Sequence, residues 1–305
     1  MRKPDDATLS VGQRAKVRAE AERALREAGA FGIFPTPVAR IMSVAKVEEV
    51  QDQVLDAGFL AKLRADAGGA IKSALSKVLG LFHAKAGLVF LDHTLMKVKK
   101  TFVRLHEAAH GFLPWQRSMY ALVEDCEHAL EPDVAALFDR EASVFASEVL
   151  FQLDTFIDDA RSREFSIWTP VKMSNGYGSS IYAAVRQYVS KHDKLCAVLV
   201  LNMPVLIEGD GFVSTLRRPI VSDSFLTTFG NDLWADRYTP DDRIGAMIPI
   251  GGRKYSGKRT LPLTDLNGVR HDCIAEAFTQ GHQVFVLIHC VKTLSAKTII
   301  LPKAF

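Results

Sequence analysis

The apolar pattern of this chain changes its period near residue 195. Before that point apolar residues recur every three or four positions, as they do in amphipathic helices. After it they alternate with polar residues or form short β-branched runs, which is typical of strands. At 305 residues the chain also exceeds the size at which a single core stops growing. The sequence therefore predicts an α+β protein with a helical N-terminal part and a separate β-rich C-terminal domain.

Individual elements follow from the same periodicities. Helices are predicted over residues 11–28, 38–45, 55–64, 71–79, 98–112 and 133–152. A short β-prone run at 87–92 comes before the helix at 98–112, and further strands are predicted over 196–201, 211–216, 244–250, 284–290 and 297–301. Residues 171–190 contain two short helical patterns around an Asn-Gly turn, which is a helix-turn-helix in outline.

Charge is distributed unevenly, although the net charge is only +3. Residues 101–165 hold 5 basic and 13 acidic residues, a balance of −8. The parts before and after that block are basic, at 17 − 11 = +6 and 16 − 11 = +5. An acidic block suits a cation site better than a phosphate or nucleic-acid surface.

Targeting and redox features also limit the function. The longest apolar runs are far shorter than the roughly 18 residues that a spanning helix needs, so we expect no membrane association. Because the N-terminal residues show no apolar signal segment, we expect a cytoplasmic protein. The cysteines Cys126, Cys196, Cys273 and Cys290 show no CxxC spacing. We expect them to be reduced and not to form a zinc site.

The motif that carries chemistry is HExxH, formed by His106-Glu107-Ala108-Ala109-His110. Residues four apart lie on the same face of a helix, so His106 and His110 can bind one Zn²⁺. Glu107 lies beside that face and can act as general base, taking a proton from the attacking water and passing it to a leaving amine. Two histidines that are satisfied by hydrogen bonds in a core would be the alternative reading of this pattern.

A second amphipathic helix follows and carries carboxylates within its apolar stretch, in the sequence FDREASVFASEVLFQ. A third ligand from this helix would leave one zinc position open for water, as catalysis requires. Asp139 and Glu141 are the candidates. They lie about 200° apart on a helical wheel and flank the apolar stripe at similar offsets, so the wheel does not choose between them.

These two motifs, with the Leu113-Pro114-Trp115-Gln116 that follows the first, resemble the metallopeptidases named after ImmA and IrrE. The resemblance covers roughly residues 30–190. In that family the second helix reads E-x-E-A-N-x-F-A-x-E-L-L, and its ligand Glu falls four residues before the Asn. Those positions are Asp139 and Ser143 here, both departures. Register thus favours Asp139 as the third ligand, while side-chain length favours Glu141.

The resemblance implies a mainly helical, gluzincin-like zinc endopeptidase with a small sheet, whose substrate is a DNA-binding transcriptional repressor. Together with the change of pattern near residue 195, it divides the chain into the N-terminal part with the peptidase domain at 1–165, a helix-turn-helix-like linker at 166–192 and a β-rich C-terminal sensor or docking domain at 193–305. Independently of the resemblance, the short strand at 87–92 before the HExxH helix would offer a sheet edge to an extended peptide. The alternative is a catalytically inactive regulatory or nucleic-acid-binding platform that keeps the peptidase fold.

Overall fold

The structure, a computed structural model, describes residues 8–50, 80–83, 87–91, 96–126, 130–208, 211–230 and 232–291. The chain divides after Tyr188 into two compact units. We call Pro4–Tyr188 the helical unit and the part that begins at Val189 the sheet unit. Helices and a mainly antiparallel sheet are both present, which confirms the α+β class. The segments predicted at 55–64, 71–79 and 297–301 lie outside the described residues.

The helical unit begins with α1 (Val11–Glu27) and α2 (Val38–Val44). Ser10 and Gln13 form a capping box at the start of α1, since each side chain satisfies a backbone N–H of the other. The apolar face of α1 buries Val17, Ala21 and Leu25. Helix α1 packs against the helix that carries the candidate third ligand.

A three-stranded sheet follows, made of β1 (Glu48–Glu49), β2 (Gly80–His83) and β3 (Leu88–Leu91). The predicted strand at 87–92 is confirmed as β3. Its predicted role as a sheet edge is wrong, because β3 lies between a parallel β1 and an antiparallel β2. The preference of this run for extended structure was visible in the sequence. Its central place depends on β1, which comes from an earlier part of the chain and pairs with the edge of β3 that β2 does not occupy.

The remaining helices of this part of the chain are α3 (Lys97–Phe112), α4 (Pro114–Cys126), α5 (Pro132–Leu150), α6 (Thr155–Arg161), α7 (Trp168–Gly176) and α8 (Ile181–Ser190). Pro132 begins α5, where a missing N–H costs nothing. Helix α3 packs against α5 on one side and against β2 and β3 on another. None of the ten residues of α8 is exposed. A helix that reads DNA must present side chains to a groove, so this helix gives the helix-turn-helix prediction no support as a DNA reader.

The sheet unit contains β4 (Cys196–Asn202), β5 (Val205–Ile207), β6 (Gly211–Val221), β7 (Arg237–Tyr238), β8 (Tyr255–Thr264), β9 (Arg270–Thr279) and β10 (Gln283–Cys290), with α9 (Asp223–Phe229) between β6 and β7. The strand order is β5-β6-β4-β10-β9-β8, with β7 paired to β6, and neighbouring strands are antiparallel. Alternate residues of these strands, such as Leu199, Ala275 and Val286, form the core with the aromatic side chains of α9.

The strands predicted near 196, 211 and 284 are confirmed, but the one at 244–250 is wrong. This segment forms a short 3-10 helix, Gly245–Met247. Its buried residues Ile244, Met247 and Ile248 follow helical spacing, and Gly245 lies so close to the backbone of Thr239 that no Cβ would fit. A run of apolar residues this short does not distinguish a strand from a buried helical turn.

One cysteine prediction is also wrong. Cys273 and Cys290 lie directly opposite each other on β9 and β10, and the structure joins them as a disulfide. They are 17 residues apart, so their pairing depends on strand register and not on a local motif. Cys196 is a free, buried thiol, as expected. Among the described residues, no helix is both long enough and apolar enough to cross a membrane.

Candidate metal centre and catalytic glutamate

The HExxH motif lies in the C-terminal half of α3, and most residues of this half are buried. From Glu107 to Phe112 each residue of the helix is buried, because α5 and the small sheet pack on it. The imidazoles of His106 and His110 stand one turn apart, with ring centroids 5.1 Å apart and ring planes at 82°. The spacing of the motif therefore places both rings on one face of α3, as the sequence predicts.

Asp139 on α5 faces this pair of histidines. Its Oδ1 lies 3.9 Å from Nε2 of His106, and one ligand atom from each of His106, His110 and Asp139 lies within 4.8 Å of the others. The Asp139 side chain is 71% exposed, whereas that of His106 is 19% exposed. The three side chains thus form a cluster that is closed by the helices on one side and open to solvent at Asp139.

Glu141 lies elsewhere, on the buried face of α5. Its Oε2 accepts hydrogen bonds from Nε1 of Trp115 at 2.8 Å and from Nε2 of Gln116 at 2.7 Å. The side chain is nearly inaccessible, at 5% exposure, and it does not belong to the cluster of possible ligand atoms. Of the two acids that the sequence offers, the structure brings Asp139 to the histidines and places Glu141 against Trp115 and Gln116.

Burial keeps both histidines neutral. Desolvation, with a smaller contribution from the neighbouring His110, lowers the pKa of His106 to about 3. Desolvation also lowers the pKa of His110 to about 4, against the opposing effect of its hydrogen bond to Gln116. Since both values lie well below 7, both rings are uncharged at neutral pH, which is the form that binds metal ions.

Glu107 is 6% exposed and lies next to the cluster. Burial raises the pKa of its carboxyl group to about 8, and the nearby carboxylate of Asp139 contributes to the rise. A carboxyl group in this setting can hold or release a proton near neutral pH, which is what a general base requires. A cation beside Glu107 would favour its ionised form and lower this pKa.

The second nitrogen of each histidine is also engaged. Nδ1 of His110 lies 2.7 Å from Oε1 of Gln116, and Nδ1 of His106 lies 3.4 Å from Oγ of Ser143. Hydrogen bonds at Nδ1 leave Nε2 of each ring free to act as a ligand atom, the arrangement that second-shell partners produce in known metal sites. The sequence did not single out Gln116 or Ser143 for this role.

Tyr120 on α4 completes the border of the cluster. Its ring meets that of His110 edge to face at a centroid distance of 5.3 Å and also contacts Phe138. Burial raises the pKa of the phenol, and the carboxylates of Asp139 and Glu107 raise it further. The hydroxyl group therefore stays protonated and can donate a hydrogen bond beside the two carboxylates.

Comparisons with known proteins give little further information. No family model and no curated protein matches the chain. Several solved structures resemble it. One of them is a Mycobacterium tuberculosis transcriptional regulator, with 12% sequence identity and a TM-score of 0.46 over 92% of this chain and 80% of that chain. A likeness at this level does not bear on function.

Proposed function

We propose that this chain is a zinc-dependent endopeptidase of the ImmA/IrrE type, with a gluzincin-like helical domain. The observation that carries the proposal is the cluster of three ligand atoms, from His106, His110 and Asp139, beside the buried Glu107. Two separate helices supply this cluster, so it does not follow from the HExxH spacing alone. The proposed substrate is a protein, and the resemblance makes a DNA-binding repressor the first candidate.

The donor set fits zinc. Two neutral imidazoles and one carboxylate are the protein ligands of several catalytic zinc sites, in which the fourth position is left to water. When bound in such a site, zinc polarises the scissile carbonyl and makes the attacking water easier to deprotonate. His106, His110 and Asp139 would hold the ion, and the exposed side at Asp139 is where a polypeptide substrate can approach.

Glu107 would carry the proton. Its position next to His106 on α3 places it beside the cluster, and its burial keeps bulk water from competing for the proton. In its ionised form it takes a proton from the attacking water, and in its protonated form it gives that proton to the leaving amine. Tyr120 borders the same space, and its phenol can donate a hydrogen bond to the carbonyl oxygen of the scissile bond as negative charge develops there.

The test combines metal content with proteolysis. After mild dialysis the wild-type protein should retain zinc at about one ion per chain, the stoichiometry of a single three-ligand site. Zinc-loaded protein should cut a repressor encoded beside its own gene, with the new termini identified by mass spectrometry. Glu107→Gln should keep the fold and the zinc but lose cleavage, because the nearly isosteric amide cannot take the proton.

Glu131→Gln is the matched control, because it changes an exposed glutamate at the start of α5. It should retain both zinc and cleavage. Zinc far below one per chain in the wild type, even after loading, would contradict the metal site. Cleavage that survives Glu107→Gln would contradict the role of Glu107. Zinc without cleavage of any protein offered would instead support a binding platform that keeps the peptidase fold.

A further inference from the structure

The buried amide of Gln116 connects the candidate metal centre to Glu141. Its side chain has no exposed surface, and each end of the amide has a partner. Oε1 lies 2.7 Å from Nδ1 of His110, while Nε2 lies 2.7 Å from Oε2 of Glu141 and 3.2 Å from the carbonyl oxygen of Phe138. These contacts form a continuous buried line from α5 through α4 to α3.

The partners of Gln116 fix which way its amide points. The carbonyl oxygen of Phe138 can only accept a hydrogen bond, and Glu141 already accepts one from Trp115 at the same oxygen. A reversed amide would place its oxygen against these acceptors in a site closed to water, which costs about 1–3 kcal/mol for each unsatisfied group. The NH₂ group therefore faces Glu141, and the amide oxygen faces His110.

The orientation of the amide in turn sets the tautomer of His110. Because an amide oxygen can only accept, Nδ1 of His110 must carry the proton, and the lone pair lies on Nε2. We infer that Gln116 and Glu141 are positioning residues that hold His110 in the Nδ1–H tautomer with Nε2 directed to the metal, and that Glu141 acts through Gln116 and not as a ligand. The inference rests on the proposed metal function and names two residues that it does not require.

A conservative substitution distinguishes the two possible roles of Glu141, as a metal ligand or as a residue that positions Gln116. Both hydrogen bonds that Glu141 accepts end on Oε2, so the amide oxygen introduced by Glu141→Gln can accept both. Glu141→Gln should thus preserve the positioning of Gln116, although it removes the carboxylate that a metal ligand would need. Glu141→Leu removes the acceptor, and Gln116→Leu removes the amide.

The tautomer can be measured without metal. Full-length protein labelled with ¹⁵N-histidine is stripped of metal, and its imidazoles are examined at pH 7 by long-range ¹H–¹⁵N correlation, with the His110 signals assigned from a His110→Ala variant. Wild type and Glu141→Gln should show the Nδ1–H tautomer at His110. Gln116→Leu and Glu141→Leu should shift it towards Nε2–H. His271, which pairs with Asp265 in the sheet unit at 2.9 Å, is an internal reference that should not change.

Zinc affinity, measured by competition with a chelator, completes the experiment. Gln116→Leu and Glu141→Leu should weaken binding by about 10- to 100-fold, as expected for second-shell residues, and Glu141→Gln should bind nearly as wild type does. A wild-type Nε2–H tautomer, or no change in Gln116→Leu, would overturn the inference. So would a loss of zinc in Glu141→Gln as strong as in Asp139→Asn. If the tautomers behave as expected but the wild type binds no zinc, the positioning stands and the proposed function fails.

Discussion

Glu107→Gln should stabilise the metal-free protein at high pH. Glu107 is buried beside Asp139, and the fold disfavours its ionised form, so that its pKa rises from 4.5 to about 8. Between these two values the folded chain keeps a proton that the unfolded chain has released. The free energy of unfolding must then fall as the pH rises through this window. Gln carries no such proton and should not show this fall.

The magnitude follows from the two pKa values. One pKa unit corresponds to about 1.4 kcal/mol, so a rise from 4.5 to about 8 makes the wild type lose about 4 to 5 kcal/mol of stability by pH 8. Because the carboxyl group is only 6% exposed, solvent screening reduces this figure little. Such a loss is a large part of the total stability of an ordinary domain, which is about 5–15 kcal/mol.

The assay is urea unfolding of metal-free protein at several pH values between 5 and 8.5, followed by circular dichroism at 222 nm. Helices α1–α8 all begin before the division at Tyr188, so this signal reports mainly the helical unit. The informative quantity is the difference in the free energy of unfolding between Glu107→Gln and wild type. Other titrating groups are common to both proteins and largely cancel in that difference.

The difference should grow by about 3 to 4 kcal/mol in favour of Glu107→Gln between pH 5 and pH 8. Glu131→Gln, which changes an exposed glutamate, should follow the wild-type profile throughout. Parallel profiles for wild type and Glu107→Gln would refute the reasoning, because they would mean that Glu107 ionises in the folded protein as easily as in the unfolded chain. A bound cation would favour the ionised form of Glu107, so added zinc should stabilise the wild type most at the upper end of the pH range, near pH 8, where buried Glu107 destabilises the metal-free protein.

Three further predictions concern the same helices. The pKa values of His106 and His110 are lowered to about 3 and 4, so as the pH falls below 6.5 the unfolded chain binds protons before the folded chain does. The metal-free protein should therefore lose stability below pH 6.5, and a His110→Gln variant should lose less. Acid titration followed by circular dichroism tests this. Asp139→Asn should weaken zinc binding beyond the roughly 10- to 100-fold of a second-shell change, and chelator competition that finds it equal to wild type would place the third ligand elsewhere. Buried Gln152 accepts a hydrogen bond from the N–H of Gly32 and donates hydrogen bonds to the carbonyl groups of Ala30 and Ile33. In Gln152→Leu these three backbone groups would lose their partner. The substitution should therefore destabilise the helical unit by about 2–5 kcal/mol, as measured by urea unfolding.

The sequence by itself determined the features that depend on short-range spacing. HExxH places two imidazoles and a carboxyl group on adjoining faces of one helix, because four residues make little more than one turn. An alternating run predicted β6, and short β-branched apolar runs predicted β4 and β10, because both patterns are local properties of strands. The amphipathic pattern after Pro132 likewise predicted α5, over residues 133–152 against the observed Pro132–Leu150.

Short-range patterns could not predict which strands lie next to each other or which cysteines pair. The two cysteines on β9 and β10 meet because of the register of the two strands. Strand β3 is a central strand because β1, from an earlier part of the chain, pairs with the edge that β2 leaves open. The segment around Gly245–Met247 belongs to an apolar run that suggested a strand, but Ile244, Met247 and Ile248 are buried at helical spacing and Gly245 lies against the backbone of Thr239.

The choice between Asp139 and Glu141 shows the same limit at the candidate site. A helical wheel gives the angle between the two side chains, but the rotation of α5 about its own axis relative to α3 is set by the packing of many side chains. In the structure that rotation places Asp139 at the open rim opposite His106 and turns Glu141 inward to Trp115 and Gln116. A local pattern carries no information on this rotation, because the neighbours that fix it come from separate parts of the chain.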